Sequence, residues 1–328
     1  MSEVLVRVEG LSKFFPLTRG LFRESREFIH AVEDVNFTIS PGESLGLVGE
    51  SGSGKTTTGK LLVRLLDPTA GHIYLRTDGR EVDIATLRGK DLKAFRRRVQ
   101  MIFQDPYESL NPRLTVFDTV AEPLVVQGIG NVLDREERVA EMLVMVGLTP
   151  PSSFMFRFPH ELSGGQRQRV AIARALVIGP TFVVADEPTS MLDVSIRTGI
   201  MYLMQELAQR LGVTYLYITH DLAVARYMCQ RVAVMYLGKI VEQAETEELL
   251  QHPLHPYTRA LISAVPIPDP RIKRQPMEIK GSIPTPINPP PRCRFYDRCP
   301  IATGFCEQNP HPPLEDKGGG HYVACYLV

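Results

Sequence analysis

Short continuous apolar runs alternate with apolar residues at helical spacing along most of this chain. Ser44–Val48 is a short apolar run that ends in a glycine-rich loop, and a helical stretch over Lys55–Leu66 follows. The run Thr181–Asp186 (TFVVAD) predicts a fully buried strand. Val194–Leu211 sets Ile196, Ile200, Leu203, Met204, Leu207 and Leu211 on one helical face. Val213–Thr219 and Arg231–Tyr236 predict two more strands. Strands alternating with helices imply a parallel α/β core. Between Asn111 and Phe158 the spacing is mostly helical, notably over Arg135–Val146, which predicts a helical insert in that core. There is no period of solenoid type.

Proline changes the picture beyond residue 265, where half of the 26 prolines lie. The segment Pro266–Pro291, with PIPDP and PTPINPPP, cannot be regular helix or central strand and predicts an extended linker. Cysteine follows the same division. Cys229 stands alone after a helix and suits a buried small apolar role, whereas Cys293, Cys299, Cys306 and Cys325 all lie in the tail from Arg292 to Val328.

Lys+Arg and Asp+Glu are both 37 in the 328 residues, so the net charge is zero. That argues against a generic electrostatic grip on nucleic acid or anionic lipid. The longest run without Asp, Glu, Lys or Arg, Met142–Phe156, is too short for a membrane span and is broken by Pro150 and Pro151. MSEVLVRVEG carries charges inside its apolar pattern and does not read as a signal peptide. The expectation is a cytosolic protein with a sizeable core.

The loop after the first run carries the chemistry. Gly49-Glu50-Ser51-Gly52-Ser53-Gly54-Lys55-Thr56 fits G-x-x-x-x-G-K-[ST], with Thr57 next in line. Glycines let successive N–H groups turn inward onto phosphate oxygens, and the following helix adds the positive end of its dipole. Lys55 reaches the β and γ phosphates, and Thr56 offers its hydroxyl to Mg²⁺. A buried strand that delivers Asp186 and Glu187 at its end is costly without a cation or a reactive water. Asp186 suits the Mg²⁺ shell. Glu187, one residue on, suits the attacking water as general base.

Leu162-Ser163-Gly164-Gly165-Gln166 precedes the helical run RQRVAIARALVIG and forms a second anion site at a helix N-terminus. Two phosphate sites separated by over 100 residues make sense if the second closes on a partner subunit's nucleotide. With these motifs the chain resembles the ATP-binding subunits of ABC transporters over about residues 4–265. The resemblance implies a P-loop NTPase core of ABC type, α/β in class, with a helical subdomain at about 111–175 and an N-terminal antiparallel β portion. It implies a domain over 1–265 and an extension over 266–328. It assigns Gln104 in VQMIFQD to sensing Mg²⁺ and the attacking water. It assigns His220 in YITHD to the γ-phosphate, and SMLD, which ends at Asp193, to the family's D-loop beside the nucleotide. Met191 replaces the family's usual Ala there, a change expected to alter packing. Phe15 is the first candidate to stack on adenine, with Phe14 and Phe28 as rivals.

A narrower resemblance rests on HPLHPYTRAL at 252–261, QDPYESLNPRLTV at 104–116, PHELSGGQRQRVAIARAL at 159–176 and the tail GSIPTPINPPPRCRFYDRCP. These are similar to the dipeptide/oligopeptide importers, in the form of their F-type subunit. The resemblance implies ATP and Mg²⁺ as ligands and a second, D-type ATPase as heterodimer partner. It further implies two transmembrane permease subunits, an extracytoplasmic substrate-binding protein and a peripheral place on the cytoplasmic face of the membrane. Relatives importing nickel, glutathione or oligosaccharides stay open, as does, more remotely, a soluble ABC ATPase. No coiled coil fits between Lys55 and Ser163, and there is one cassette, not two, which disfavours the DNA-repair and translation classes.

The tail spacing C-x₅-C-x₆-C-x₁₈-C matches neither a common zinc ribbon nor a ferredoxin run. Four thiols in a core-poor segment still ask for a staple, and in the cytosol a metal suits better than disulfides. A [4Fe–4S] cluster, which some relatives with this tail carry, zinc, and packed free thiols are the three readings. His311 and His321 stand near enough in sequence to replace a ligand.

Overall fold

The computed structural model describes residues 3–17, 27–264, 277 and 279–328. Part of the proline-rich linker expected at 266–291 therefore lies outside the described residues, at 266–276 and 278. In chain order the elements are β1 (Val6–Pro16), β2 (Phe28–Ile39), β3 (Ser44–Val48), α1 (Lys55–Leu62), β4 (Ala70–Thr77), β5 (Arg80–Asp83), α2 (Gly89–Arg98) and β6 (Val99–Ile102). There follow α3 (Pro106–Ser109), α4 (Val116–Gln127), α5 (Val132–Met145), α6 (Gly164–Leu176), β7 (Phe182–Asp186), α7 (Val194–Leu211), β8 (Thr214–Thr219) and α8 (Leu222–Met228). Then come β9 (Arg231–Tyr236), β10 (Lys239–Glu245), α9 (Thr246–Gln251), α10 (Pro256–Ala264), α11 (Gly304–Gln308), β11 (Glu315–Asp316) and β12 (Tyr322–Val323).

The chain forms two compact units, one built mainly from residues 86–217, the other from 4–39, 44–85 and 218–328. The described part of the tail belongs to the same unit as the phosphate loop. In the first unit β6 pairs parallel with β7, from Val99 opposite Phe182 to Ile102 opposite Ala185. Helices α4, α5 and α6 pack together, burying Val120, Leu124, Val139, Leu143, Val170 and Ile172. Pro123 sits inside α4. The helix survives it because Thr115 and Asp118 form a capping box and Val116, Val120, Ala121 and Leu124 bury one face.

In the second unit an antiparallel sheet runs in the order β2-β1-β4-β5. β3 pairs parallel with β9, and β9 pairs antiparallel with β10. The tail extends that edge: β12 lies antiparallel on β10, and β11 on β12. Every residue of β3 is buried, as a continuous apolar run covered on both faces requires.

Two helices differ from their sequence expectation. The helix expected to Leu66 ends at Leu62, because Arg64 takes a left-handed backbone (φ 54) and buries its guanidinium, with Nε donating 2.8 Å to Ile84 O. On α7, Ile200, Leu203, Met204 and Leu207 are buried as expected, but Leu211 is exposed beside the Gly212 C-cap. Among the described residues no helix is long and apolar enough to cross a membrane.

Candidate functional site

Each unit holds part of the predicted chemistry. In the second unit, buried β3 runs straight into the loop Gly49–Gly54, and α1 begins at Lys55. A Cβ on Gly49 would collide with Met235 O, and one on Gly54 with Ala31 O. Both glycines also hold positive φ, 153° and 107°. The loop thus folds back against neighbouring backbone, a fit open only to glycine. Lys55 is buried, and its Nζ donates to Gly49 O and Glu50 O, both at 2.8 Å, and to Ser53 Oγ at 3.3 Å. The ammonium therefore sits at the centre of the loop's curl, where an anion would meet it. Ser51 and Gly52 are exposed, and Thr56 and Thr57 are half-buried in the first turn of α1. The cradle fits a polyphosphate.

Glu50 is held differently. Its N–H donates 2.9 Å to Tyr257 Oη, and its carboxylate is forked by Arg298, at 2.8 Å from Nη1 and 3.2 Å from Nη2. The HPLHPY segment explains how Tyr257 gets there. Buried Glu242 accepts from Leu254 N at 2.7 Å, His255 N at 3.0 Å and His321 Nε2 at 2.8 Å. His255 Nδ1 then accepts from Tyr257 N at 3.1 Å, at the start of α10. Burial pushes the Tyr257 hydroxyl pKa up, so it stays protonated.

Burial likewise pushes the His255 imidazole down to about 3 from 6.5. Above pH 6.5 the ring is neutral in folded and unfolded chains alike. Between 6.5 and 3 only the unfolded chain takes the proton, so folding stability falls as pH falls through that window. At one pH unit below 6.5 the loss is about 1.4 kcal/mol. Urea midpoints should show this decline between pH 7.5 and 5.5. His255→Asn, which keeps an acceptor but has no titration, should start less stable and decline less steeply; an equal slope removes His255 as the cause.

His220, just past β8, is exposed. Phe14 packs on the His30 ring, with centroids 4.2 Å apart, and Phe15 takes Lys13 Nζ at 5.3 Å from its centroid. Phe28 is exposed.

In the first unit β7 ends at buried Asp186. Oxygen donors of this kind, with a threonine hydroxyl, suit a hard divalent cation. Glu187 follows with φ 43, a left-handed backbone that costs a non-glycine residue about 1 kcal/mol or more. Its Oε2 accepts from Gln104 Nε2 at 3.1 Å, which joins two residues far apart in sequence. Ser190 Oγ donates to Glu187 O at 3.0 Å, and Arg197 ties down the next loop through Leu192 O and Ser190 O. Met191 and Asp193 are exposed, so the Met191 substitution is not absorbed in this chain's own core.

Ser163 caps α6 in a reciprocal box with Gln166, and it is exposed. A Cβ on Gly165 would meet Ile196 Cγ2 at 2.8 Å, so this glycine lets α6 approach α7 closely. Tyr107 lies under the Arg167 guanidinium at 4.1 Å.

The chemistry of the two halves acquires a family when other proteins are considered. Residues 32–190 match the family described as ABC transporter. Residues 241–306 match the one described as oligopeptide/dipeptide transporter, C-terminal region. The oligopeptide transport ATP-binding protein AppF of Bacillus subtilis is 44% identical over 328 residues, 99% of this chain and 98% of its own. The chain belongs to the ABC transporter ATP-binding family, in its oligopeptide/dipeptide branch. The ATP-binding cassette MJ0796, solved as a post-hydrolysis dimer bound to ADP and Pi, is 33% identical with a TM-score of 0.63, covering 74% of this chain and 99% of that one. The cassette cbiO1 of Clostridium perfringens, part of an ABC transporter complex, is 28% identical at the same TM-score over 76% and 92%.

The tail cysteines lie in the second unit. Cys306 is buried, and Cys293 N donates to Cys306 O at 3.3 Å. Burial pushes the Cys293 thiol up to about 11, and Cys299 and Cys325 upward too, with the neighbouring cysteines adding to each rise. The four are thus electrostatic neighbours. Among the described residues, however, no three His, Cys, Asp or Glu side chains stand as a metal-holding group. His311 Nδ1 accepts from Arg294 N, and His321 bridges Glu242 and Glu248, so both expected substitutes are engaged elsewhere. Cys229 is buried, as expected of a small apolar side chain.

The sequence missed Arg298 and Tyr257 as neighbours of the phosphate loop. The signals were the HPLHPYTRAL segment for Tyr257 and the tail GSIPTPINPPPRCRFYDRCP for Arg298, which carried a resemblance but no stated role.

Proposed function

We propose that this cassette hydrolyses ATP to energise an importer of dipeptides or oligopeptides. The observation that carries this is the presence, in one chain, of the ABC transporter match at 32–190 and the oligopeptide/dipeptide match at 241–306. Full-length similarity to AppF supports the peptide class. Its partners in this reading are a D-type ATPase, two permease subunits and a substrate-binding protein, with the cassette peripheral on the cytoplasmic face of the membrane. Residues 1–265 serve as the ATPase domain, with a helical subdomain at about 111–175, and 266–328 as the importer-type extension.

The roles are those that the family resemblance assigns, supported locally by the loop's curl and by the Gln104–Glu187 bond. N–H groups of the loop Gly49–Gly54 and of Thr56 and Thr57 hold phosphate oxygens at the positive end of α1, with Lys55 balancing their charge. Thr56, Asp186 and Gln104 are the oxygen donors for Mg²⁺, which supplies charge neutralisation when bound. Glu187 takes the proton of the attacking water, steadied by Gln104. His220 hydrogen-bonds the γ-phosphate, and Phe15 stacks on adenine. Ser163, Gly164, Gly165, Gln166 and Asp193 serve the nucleotide of the partner ATPase.

The test is reconstitution of the cassette with its partner subunits in vesicles. ATP hydrolysis should rise when peptide-loaded binding protein is added and stay at baseline with nickel, glutathione or oligosaccharide. Stimulation by one of those cargoes alone would overturn the peptide reading. Hydrolysis that never responds to any loaded binding protein would favour a soluble ATPase.

Cys293, Cys299, Cys306 and Cys325 are read as a structural centre, [4Fe–4S] first and zinc second, because their thiol set suits either. Phosphoryl transfer needs no redox step, so no step of hydrolysis runs through such a centre. Anaerobic purification should give close to four iron and four sulfide per chain. Under a tenth of an equivalent of any metal, with four alkylatable thiols in the folded protein, leaves packed thiols as the answer.

A further inference from the structure

The phosphate loop has an outer side as well as the inner side that faces an anion. On that outer side, Glu50 is gripped twice by residues far beyond it in sequence. Tyr257 Oη takes its backbone N–H at 2.9 Å. Arg298 forks its carboxylate through both terminal nitrogens. Neither grip is a loose surface contact. Tyr257 is fully buried and Arg298 is 7% exposed. Their rings and stems share one aromatic nest. Tyr236 and Tyr257 centroids are 4.7 Å apart, and Phe295 meets Tyr236 edge-on at 5.1 Å. A guanidinium set this deep, with a planar two-bond match to a carboxylate, fixes both distance and angle.

We propose that Arg298 and Tyr257 are positioning residues for the nucleotide, acting through Glu50 to hold the phosphate loop in its binding shape. This rests on the reading of Gly49–Thr56 as the phosphate site. The physical argument is preorganisation. The loop contains Gly49, Gly52 and Gly54, all at positive φ, and glycine carries the largest backbone entropy to lose. An empty loop free to flex would charge that loss to each binding event. Inside, Lys55 Nζ bridges Gly49 O and Glu50 O, but a phosphate competes for that same ammonium. The outer grip is the one that survives ligand entry. Its two halves come from Pro256–Ala264 and Tyr296–Arg298, so the C-terminal region closes the loop's back.

The experiment uses the full chain with Mg²⁺ and a fluorescent N-methylanthraniloyl ATP as probe. Arg298→Gln and Glu50→Gln should each raise Kd about tenfold, the effect of losing one partly buried charge pair of about 1.4 kcal/mol. The double variant should be no worse than either single one, since the pair can be lost only once. Arg298→Lys should fall between parent and Arg298→Gln, because it keeps the charge and loses the fork. In steady-state hydrolysis Arg298→Gln should raise KM while kcat stays within about threefold, because the Arg298 side chain does not meet the reacting atoms. Glu50→Gln guards against misfolding, since its carboxylate is 28% exposed and its loss opens no cavity. A Kd within twofold of parent in both single variants overturns the proposal, and so does a double variant whose effects multiply. Lys55→Ala separates the underlying reading: if that variant binds the probe as the parent does, the phosphate site itself is wrong.

Discussion

Glu187→Gln should keep nucleotide affinity within about twofold and lose turnover by two to four orders of magnitude, the usual worth of a positioned general base. The substitution is clean for a structural reason. Gln104 Nε2 donates to Glu187 Oε2, and a glutamine carbonyl at the same place accepts that bond equally well. The backbone at 187 keeps its φ of 43, held from behind by Ser190 Oγ on the Glu187 carbonyl. What is lost is the proton acceptor. Single-turnover measurement of phosphate release, beside equilibrium binding, separates the two quantities. Turnover within threefold of the parent would remove Glu187 from the reaction and leave its strained backbone without a purpose.

Ser163→Arg should leave nucleotide binding to this chain's own loop nearly unchanged and abolish ATP-driven closure with a second ATPase subunit. Ser163 is exposed at the start of α6, so a long cation there blocks whatever docks on that helix end without entering the core. Loss of its cap costs the helix about 1 kcal/mol. That is affordable, because Val170, Ala171, Ile172, Ala173 and Leu176 stay buried. Light scattering with ATP, in a chain that also carries Glu187→Gln to trap the closed state, reads the assembly directly. If Ser163→Arg weakens binding of nucleotide as severely as Lys55→Ala does, the signature serves its own chain's nucleotide.

Motif and period made parts of this site legible in advance. β3, its loop and α1 were readable because a buried run, three glycines and a helix stand consecutively, and the same holds for β7 with Asp186 and Glu187. The closeness of Gln104 and Glu187 was legible only through family resemblance, since nothing local joins them. Helix α1 stops early at Arg64 because a buried guanidinium reaches Ile84 O, a tertiary cause that periodicity does not encode. Pro123 stays inside α4 because packing outweighs its propensity. The Glu50–Arg298 pair was invisible for a similar reason. Glu50 stood out only as a member of the phosphate loop and Arg298 only as a member of the tail motif; nothing local joins them, and only the folded aromatic nest brings them together.

The strand that the tail lays on β10 also governs how safely the protein is made. Until Tyr322 and Val323 pair with Gln243 and Glu242, β10 offers an unpaired ladder beside buried Val241 and Ala244. An open ladder of this kind is a template for another chain. On a ribosome that hazard persists while the whole stretch from α9 to His321 is still emerging, with the nucleotide loop long since translated. The finished edge is of another kind, because β11 presents Glu315 and Asp316, both exposed, where a visiting strand would have to pair. Two carboxylates at a sheet margin repel such a visitor, so pairing of the tail turns a sticky border into a guarded one.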